Sequence, residues 1–233
     1  MRREMMRIGA FCLLCAVCLS FVSCSGGEGT LYNSVMTMLG FDMNDYENEA
    51  AIHFPDKDDE IYGEIEGIIS ILIYDSVYLS TFETTRDAAS GNVDAILNYM
   101  LKTSYSAYSG NSALLKEAEE LYPQYHITTL IPKADYESYV YRYFGGGSSV
   151  QHASSARFTF LTKLNAYTTT GQPVTSEVEV DVTSCVETTH TYRVAFTLSK
   201  GSEEVDYTAM IMKREDGTLY MKHLRLAEAS DTE

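Results

Sequence analysis

The sequence predicts an α+β domain in which helices pack on a curved antiparallel sheet, and two patterns support this fold class. Apolar residues recur at three- and four-residue steps over much of 83–144, which is the spacing of one helical face. After residue 148 apolar and polar positions alternate, as they do in strands with one buried face. Helices followed by such strands form two layers around one core.

A first long helix is predicted over 83–108, because seven apolar side chains there fall on one helical face. These residues are Ala89, Val93, Ile96, Leu97, Met100, Leu101 and Tyr108. Gly91 is the weakest position of this helix, since a glycine in a helix interior costs about 1 kcal/mol relative to alanine. The isoleucine-rich run 65–74 before it fits a buried strand or a buried helix, and its periodicity favours neither.

Two further helices and a strand are predicted between 112 and 147. Ser112 is the expected N-terminal cap of the second helix, which must end before Pro123 because proline cannot continue it. Residues 125–131 are predicted to form a strand. A third helix is predicted over 134–144, where the glycines at 145–147 end it.

The second half of the chain is predicted to be an antiparallel meander. Residues 177–182 place valines on one face of a strand and carboxylates on the other, and 192–198 and 205–211 repeat this alternation. Turn signals separate these strands at 170–173, 200–202 and 216–217. The last of them is an Asp-Gly pair, which is typical of a tight hairpin turn.

The N-terminus has the layout of a secretory signal peptide. Residues 1–7 are basic, and the following run 8–22 is apolar and uncharged. This run is shorter than the roughly 20 residues that a membrane-spanning helix needs, so the sequence favours a cleaved signal peptide.

The end of the apolar run, Phe21-Val22-Ser23-Cys24, resembles the lipobox of bacterial lipoproteins. In that motif a small residue, here Ser23, precedes the cysteine that receives a diacylglyceryl group, whereas Phe21 stands where the family usually has leucine. The cysteines at 12, 15 and 18 are interpreted as apolar filler. The resemblance implies lipidation of Cys24, with palmitate among the acyl chains, and a location on the outer face of the bacterial cytoplasmic membrane.

The charge of the chain favours membrane attachment through a lipid rather than through electrostatics. Without residues 1–23, 14 of the 17 basic and 32 of the 33 acidic residues remain, which gives a net charge of −18. No nucleic-acid partner is expected, because phosphate binding requires clustered Lys and Arg. An anionic membrane repels this charge, but two acyl chains bury on the order of 30 methylenes at about 0.8 kcal/mol each.

The predicted organisation is a signal peptide at 1–23, a tether with an acidic flexible segment at 24–60, the α+β domain at 61–227 and a flexible tail at 228–233. Within 42–66 there are ten acidic residues and one base. Acidic residues at 56 and 58–60 offer oxygen ligands for calcium, but the glycine and final glutamate of a calcium loop are missing at their required offsets. Solvated surface is therefore the preferred interpretation.

No catalytic, metal-binding or cofactor-binding residue is predicted. The five histidines show no metal-ligand spacing, and neither a nucleophile elbow nor a phosphate-binding loop is present in the sequence. Cys185 has no flanking base that would lower its pKa, so a buried, unreactive thiol is expected.

Tyrosine is the one unusual component, with 18 residues against no tryptophan. Four of them lie on the third predicted helix, at Tyr136, Tyr139, Tyr141 and Tyr143. Tyrosine has an apolar face and a polar tip, which suit recognition of a protein, peptide or glycan. Packing accounts for Tyr139 and Tyr143, whereas Tyr141 falls on the opposite helical face and is the better contact residue.

The order of elements over about 83–226 resembles the nuclear transport factor 2-like fold, also called the cystatin-like cone. The resemblance implies a pocket between sheet and helices, which some members use as isomerases or dehydratases with an Asp or His. The leading hypothesis is a non-enzymatic binding or accessory domain, and the alternative is a small-molecule enzyme of isomerase or hydrolase type. A structural envelope component is a third hypothesis. A deep cavity with Asp or His beside Tyr would favour the enzyme, and a filled core would favour binding.

Overall fold

A computed structural model describes residues 46–146 and 150–227. The chain divides into two units, 1–48 and 49–233, and the described part of the first is the 3-10 helix Tyr46–Asn48. The predicted signal peptide, Cys24 and the tail from 228 lie outside the described residues. No helix in the described ranges is both long and apolar enough to span a membrane.

The second unit contains five α-helices and seven β-strands among its described residues. The helices are α1 Glu60–Ser70, α2 Thr85–Gly91, α3 Val93–Ser109, α4 Ser112–Leu121 and α5 Lys133–Phe144. The strands are β1 Ile131–Pro132, β2 Thr159–Leu161, β3 Ala166–Thr168, β4 Glu179–Glu187, β5 Thr191–Lys200, β6 Glu203–Lys213 and β7 Leu219–Leu226.

The strands form two antiparallel sheets. The larger has the order β4-β5-β6-β7, in which each strand pairs with the next along the chain, and the smaller has the order β1-β3-β2. The hairpin turns contain Gly201 and Gly217, whose positive φ angles of 64° and 81° favour glycine. The predicted α+β class and the predicted meander are confirmed, but the meander begins at β4 and not at 148.

The isoleucine-rich run 65–74 begins within helix α1, which answers whether it is helix or strand. The buried side chains of α1 are Tyr62, Ile65, Ile68 and Ile69, which fall on one face and pack this helix on the sheet at β4. The helix ends at Ser70, 71–72 form a turn, and the side chains of 71–73 are also buried. The run is therefore helix for its first part and turn or irregular backbone for the rest, and none of it is strand.

The single helix predicted over 83–108 is wrong, because it is broken between α2 and α3. Asn92 has non-helical angles (φ −121°, ψ 27°) and its side chain is buried at the break. Its Nδ2 donates to the carbonyl oxygens of Ala88 at 3.1 Å and Ser80 at 3.3 Å. These bonds to the last turn of α2 and to a remote loop stabilise a sharp change of direction.

Two other local predictions need correction. The cap of α4 is Asn111 and not Ser112, since the Asn111 side chain accepts from the backbone nitrogen of Leu114 at 3.1 Å. Most of 125–131 is not strand, because its backbone bonds to helices: Ile127 donates to the Glu119 carboxylate at 3.1 Å, and the 130 amide donates to a carbonyl of α3. The third predicted helix is confirmed as α5, which ends at Gly145 with φ 80°.

Large side chains fill most of the space between the large sheet and the helices. The fully buried aromatic residues are Tyr136, Tyr167, Tyr207, Phe144, Phe158 and Phe196. Phe196 and Tyr207 stack across β5 and β6 with ring centroids 5.5 Å apart. The interior around these rings is thus a packed core. A cleft of about 480 Å³ opens at its edge, where α1, α3 and α5 meet the turn between β6 and β7.

An ion pair at one end of the large sheet predicts how stability depends on pH. Lys213 Nζ lies 2.6 Å from Glu187 Oε1, both side chains are about one-fifth exposed, and the hydrogen bond from Lys213 lowers the pKa of Glu187. A carboxyl group whose pKa is lower in the folded state than in the unfolded state stabilises the fold at pH values above its unfolded pKa of about 4.3. This stabilisation is lost as the pH falls through the lower pKa of the folded state. We expect Glu187→Gln to reduce the free energy of unfolding by about 1 kcal/mol at pH 7, after allowance for solvent screening, and by less at pH 3.

Urea unfolding of the wild-type chain and of Glu187→Gln at both pH values measures this difference. Glu66→Gln, on the partly exposed face of α1, is the matched control and should show little effect at either pH. An equal loss for Glu187→Gln at pH 7 and pH 3 would contradict the assigned role of the charge.

Candidate functional site

A cleft of about 440 Å³ opens beside the α2–α3 junction, and we call it the junction cleft. Three segments line it, namely 72–80 after α1, 90–95 across the helix break and 151–155 after α5. Its volume lies within the range of about 300–1,000 Å³ that small-molecule sites occupy. The break at Asn92 lies within the second of these segments.

The first wall of the junction cleft is anchored to the large sheet. The Tyr207 hydroxyl on β6 donates to the carbonyl oxygen of Val77 at 3.0 Å and accepts from the amide of Leu79 at 2.8 Å. Val77 is buried, whereas the side chain of Tyr78 is 67% exposed and lines the cleft. The buried hydroxyl of Tyr207 therefore fixes the loop that carries the exposed side chain of Tyr78.

The floor of the cleft requires close approach of two backbones. A Cβ added at Gly91 would lie 3.2 Å from the Cβ of Ser80, which is tighter than ordinary van der Waals contact. The Asn92 side chain also donates to the carbonyl oxygen of Ser80. The end of α2 and the first wall are thus held together directly.

The third wall is tied to the first turn of α3. Ser155 Oγ donates a short hydrogen bond to Asp94 Oδ1 and accepts from the amide of Phe158 at 3.1 Å. Asp94 Oδ2 accepts no hydrogen bond from the residues that the structure describes. One carboxylate oxygen is therefore structural, and the other remains available to a ligand.

The Tyr74 ring on the first wall is also fixed in place. Arg157 Nη1 donates to the Tyr74 hydroxyl at 2.6 Å, and the Arg157 guanidinium lies 5.6 Å from the centroid of the Tyr74 ring. This combination of a hydrogen bond and a cation–π contact orients the Tyr74 ring, and Arg157 itself does not line the cleft.

The chemistry of the lining is hydroxylic and aromatic, without cationic groups. Of the side chains that line the junction cleft, none is Lys, Arg or His, and one is a carboxylate. Its hydroxyl groups come from Tyr74, Tyr78 and five serines. The lining serines are Ser76, Ser80, Ser90, Ser154 and Ser155. Such a lining offers hydrogen-bond donors and acceptors together. The cation that contacts it, Arg157, is bound to the Tyr74 hydroxyl and to the carbonyl oxygen of Gln172.

The four tyrosines singled out by the sequence occupy three different environments and do not line the junction cleft. Tyr136 is fully buried, donates to the Ala89 carbonyl oxygen at 2.7 Å, and has its pKa raised by burial. Tyr139 is partly buried, 4.7 Å from the Tyr143 ring by centroids, and burial raises its pKa as well. Tyr141 is 62% exposed, in agreement with its expected position opposite the packed face of α5.

Sequence reasoning missed a hydrogen-bonded cluster centred on His152, whose side chain is 6% exposed. Its Nδ1 lies 3.0 Å from the Tyr167 hydroxyl and its Nε2 lies 3.1 Å from Glu137 Oε1. Burial raises the pKa of Tyr167 to about 12, so its phenol keeps its proton at neutral pH. The cluster joins α5 to β3 and to the segment whose neighbouring residues, Gln151 and Ala153, line the junction cleft. No local signal in the sequence identifies it, because its members are 15 residues apart.

The remaining nucleophilic and metal-ligating groups are dispersed. Cys185 is buried, as expected, and burial raises the pKa of its thiol to about 11, which leaves it protonated and unreactive at neutral pH. His126 and His190 pair with the carboxylates of Glu119 and Glu49 at 2.9 and 2.5 Å. Within 46–146 and 150–227, no group of three or more His, Cys, Asp or Glu residues could hold a metal ion.

Searches against family models, curated proteins and solved structures give no match for this chain. The site itself must therefore carry the functional argument. Ser155 in the junction cleft donates a hydrogen bond to the carboxylate of Asp94, and no histidine lines the cleft beside this pair. This pair lacks the base that serine hydrolases use to activate the hydroxyl.

Proposed function

We propose that this chain is a bacterial lipoprotein whose domain binds a ligand on the outer face of the cytoplasmic membrane without transforming it. The basic segment, the apolar run and Cys24 in its lipobox-like context support the anchor. Membrane fractionation of a Cys24→Ala chain tests this part of the proposal directly.

For the fold we propose membership of the nuclear transport factor 2-like or cystatin-like group. The support is a four-stranded meander with α1 packed against β4, and with α2 and α5 packed against β7. In such a fold the ligand would usually enter between sheet and helices, but here the centre of that space is occupied by Tyr136, Tyr207 and Phe196. The junction cleft, outside the core, takes over the role of the ligand site.

The observation that carries the binding function is the preformed junction cleft. Its walls are held by bonds from behind, through Tyr207, Arg157 and Asn92, while Tyr78 and the second oxygen of Asp94 remain available. A site that is already ordered loses little conformational entropy when a ligand binds, so affinity is gained without rearrangement. The cleft does bring Asp94 into one lining with Tyr74 and Tyr78, the combination that would favour the enzyme alternative. We still favour binding, because Ser155 engages one oxygen of Asp94 and no His or Lys lines the cleft as a second acid or base.

Photo-crosslinking in the producing cell tests the location of binding and does not require that the ligand be identified first. We expect p-azidophenylalanine in place of Tyr78 to give a covalent adduct of defined mass on irradiation, because Tyr78 lines the cleft and is exposed. The matched control is the same substitution at Tyr141, which is 62% exposed against 67% for Tyr78 and lies outside the cleft. The adducts are identified by mass spectrometry of the purified full-length chain.

An adduct at 78 without the same adduct at 141 supports the proposal. An adduct at 141 alone would place binding on α5 and overturn the junction cleft as the site. The absence of an adduct at both positions would overturn the binding function itself.

A further inference from the structure

We propose that the ligand of the junction cleft is a neutral saccharide, an inference that rests on the proposed binding function and names its ligand class. Three properties of the cleft carry it: its aromatic surfaces, its hydroxyl-rich polar groups and the absence of cationic side chains from its lining.

The aromatic surfaces are two tyrosine rings with complementary properties. Tyr74 is held rigidly by Arg157, and Tyr78 extends into solvent from a loop that Tyr207 anchors. The faces of sugar rings carry C–H groups, which pack on an aromatic face, and a tyrosine adds a hydroxyl that can bond to the sugar at its edge. Rings fixed before binding favour a rigid cyclic ligand over a flexible one.

The polar groups match the hydroxyls of a sugar. A sugar hydroxyl donates one hydrogen bond and accepts others, and the serine hydroxyls of the lining keep part of the same capacity. Ser76 and Ser154 accept from backbone amides and can still donate, whereas Ser90 donates to the Arg86 carbonyl oxygen and can still accept. Asp94 Oδ2 adds a strong acceptor next to Ser155, and a charged acceptor forms a stronger hydrogen bond with a hydroxyl donor than a neutral one does. Gln151 contributes an exposed amide at the same rim.

The charge of the cleft argues against other ligand classes. Phosphates, carboxylates and acidic sugars need a cationic partner, and no Lys, Arg or His lines the cleft of this strongly acidic chain. Arg157 contacts the lining only through Tyr74, and its guanidinium is already bound to the Tyr74 hydroxyl and the Gln172 carbonyl oxygen. An extended peptide would gain most from pairing with a strand edge, but the three lining segments contain no strand. A neutral polyhydroxylated ligand needs neither a cationic partner nor a strand edge.

Isothermal titration of the full-length lipidated chain, purified in a detergent without a sugar headgroup, tests the ligand class. The probes are the neutral disaccharides chitobiose, cellobiose and maltose, with a glucuronic acid disaccharide and a neutral tripeptide as comparators. We expect at least one neutral disaccharide to bind, and the acidic disaccharide and the tripeptide not to bind.

Two variants connect binding to the junction cleft. Tyr78→Ala and Asp94→Asn should each weaken the affinity for that disaccharide about tenfold, because one removes a packing surface and the other a charged acceptor. Tyr141→Ala is the matched control and should leave the affinity unchanged. Circular dichroism melting of each variant separates a binding effect from a folding effect, and Tyr78→Phe should retain most of the affinity.

Binding of a neutral disaccharide that Tyr78→Ala weakens and Tyr141→Ala does not weaken supports the inference. Failure of all three neutral disaccharides to bind, or equal loss in Tyr78→Ala and Tyr141→Ala, would overturn it. A peptide or protein adduct at 78 in the crosslinking experiment, without saccharide binding, would overturn the saccharide inference and leave the binding function standing.

Discussion

Replacement of Phe196 by alanine is expected to lower the free energy of unfolding by about 3 to 5 kcal/mol. Phe196 is 1% exposed in the middle of β5, and its ring stacks on Tyr207 at an interplanar angle of 20°. Removal of the ring eliminates its buried apolar surface and leaves a cavity that a close-packed interior can fill only in part. The loss is large because domains of this kind are stable by only about 5 to 15 kcal/mol.

Urea unfolding followed by circular dichroism measures this effect. Phe54→Ala provides the matched control, because Phe54 is 68% exposed and its loss should change stability by less than about 0.5 kcal/mol. If the alanine variant at 196 does not fold, Phe196→Leu should still fold with a loss of about 1 to 2 kcal/mol. Equal losses at 54 and 196 would show that Phe196 is not part of the core.

The Phe196 variant also connects the core to the junction cleft. Tyr207 packs against Phe196 on one side and holds the Val77 and Leu79 backbone on the other. Loss of the Phe196 ring should therefore loosen the first wall of the cleft as well as the core. Hydrogen exchange at the Leu79 amide is expected to accelerate in Phe196→Ala more than the global loss of stability alone requires.

Replacement of Cys24 by alanine is expected to abolish attachment of the chain to the membrane or to leave it as an unprocessed precursor. The proposed diacylglyceryl group can form only on a thiol, and a processed chain with a net charge of −18 has no electrostatic attraction to an anionic membrane. Radiolabelled palmitate should be incorporated into the wild-type chain and not into Cys24→Ala.

The measurement is separation of membrane and soluble fractions, with precursor and processed forms resolved by electrophoresis. Cys18→Ala is the matched control, because Cys18 lies in the apolar run with Val17 before it, and its replacement should change neither processing nor retention. Unchanged membrane retention and precursor size in Cys24→Ala would contradict the lipoprotein proposal.

The sequence by itself determined the elements whose signals lie within a few consecutive residues. The alternating valines of 177–182 predicted a strand, and the Asp-Gly pair at 216–217 predicted the hairpin between β6 and β7. The third helix could be predicted with its glycine end because a period of 3.6 and a terminal glycine are both local properties. The α+β class followed from the order of these elements.

The local sequence pattern did not predict the structure where a residue distant along the chain forms hydrogen bonds with the segment. Residues 125–131 have a strand-like composition, yet their amides bond to the Glu119 side chain and to α3. The helix through Gly91 is broken because Asn92 bonds to Ser80 as well as to Ala88. In both cases a tertiary hydrogen bond outweighed a modest local propensity.

Only the tertiary structure decided where a ligand could bind. The junction cleft depends on Asp94 meeting Ser155 across 61 residues and on Tyr207 holding Leu79 across 128 residues. Neither contact produces a recognisable pattern in the sequence. Each is made by the packing of two elements, and the order of elements along the chain does not determine the distance between them in space. The sequence determined the class of the fold and most of its helices and strands. Packing determined that the tyrosines of α5 lie outside the junction cleft while Tyr78 lines it, because the free energy of burial depends on contacts among residues that are distant along the chain.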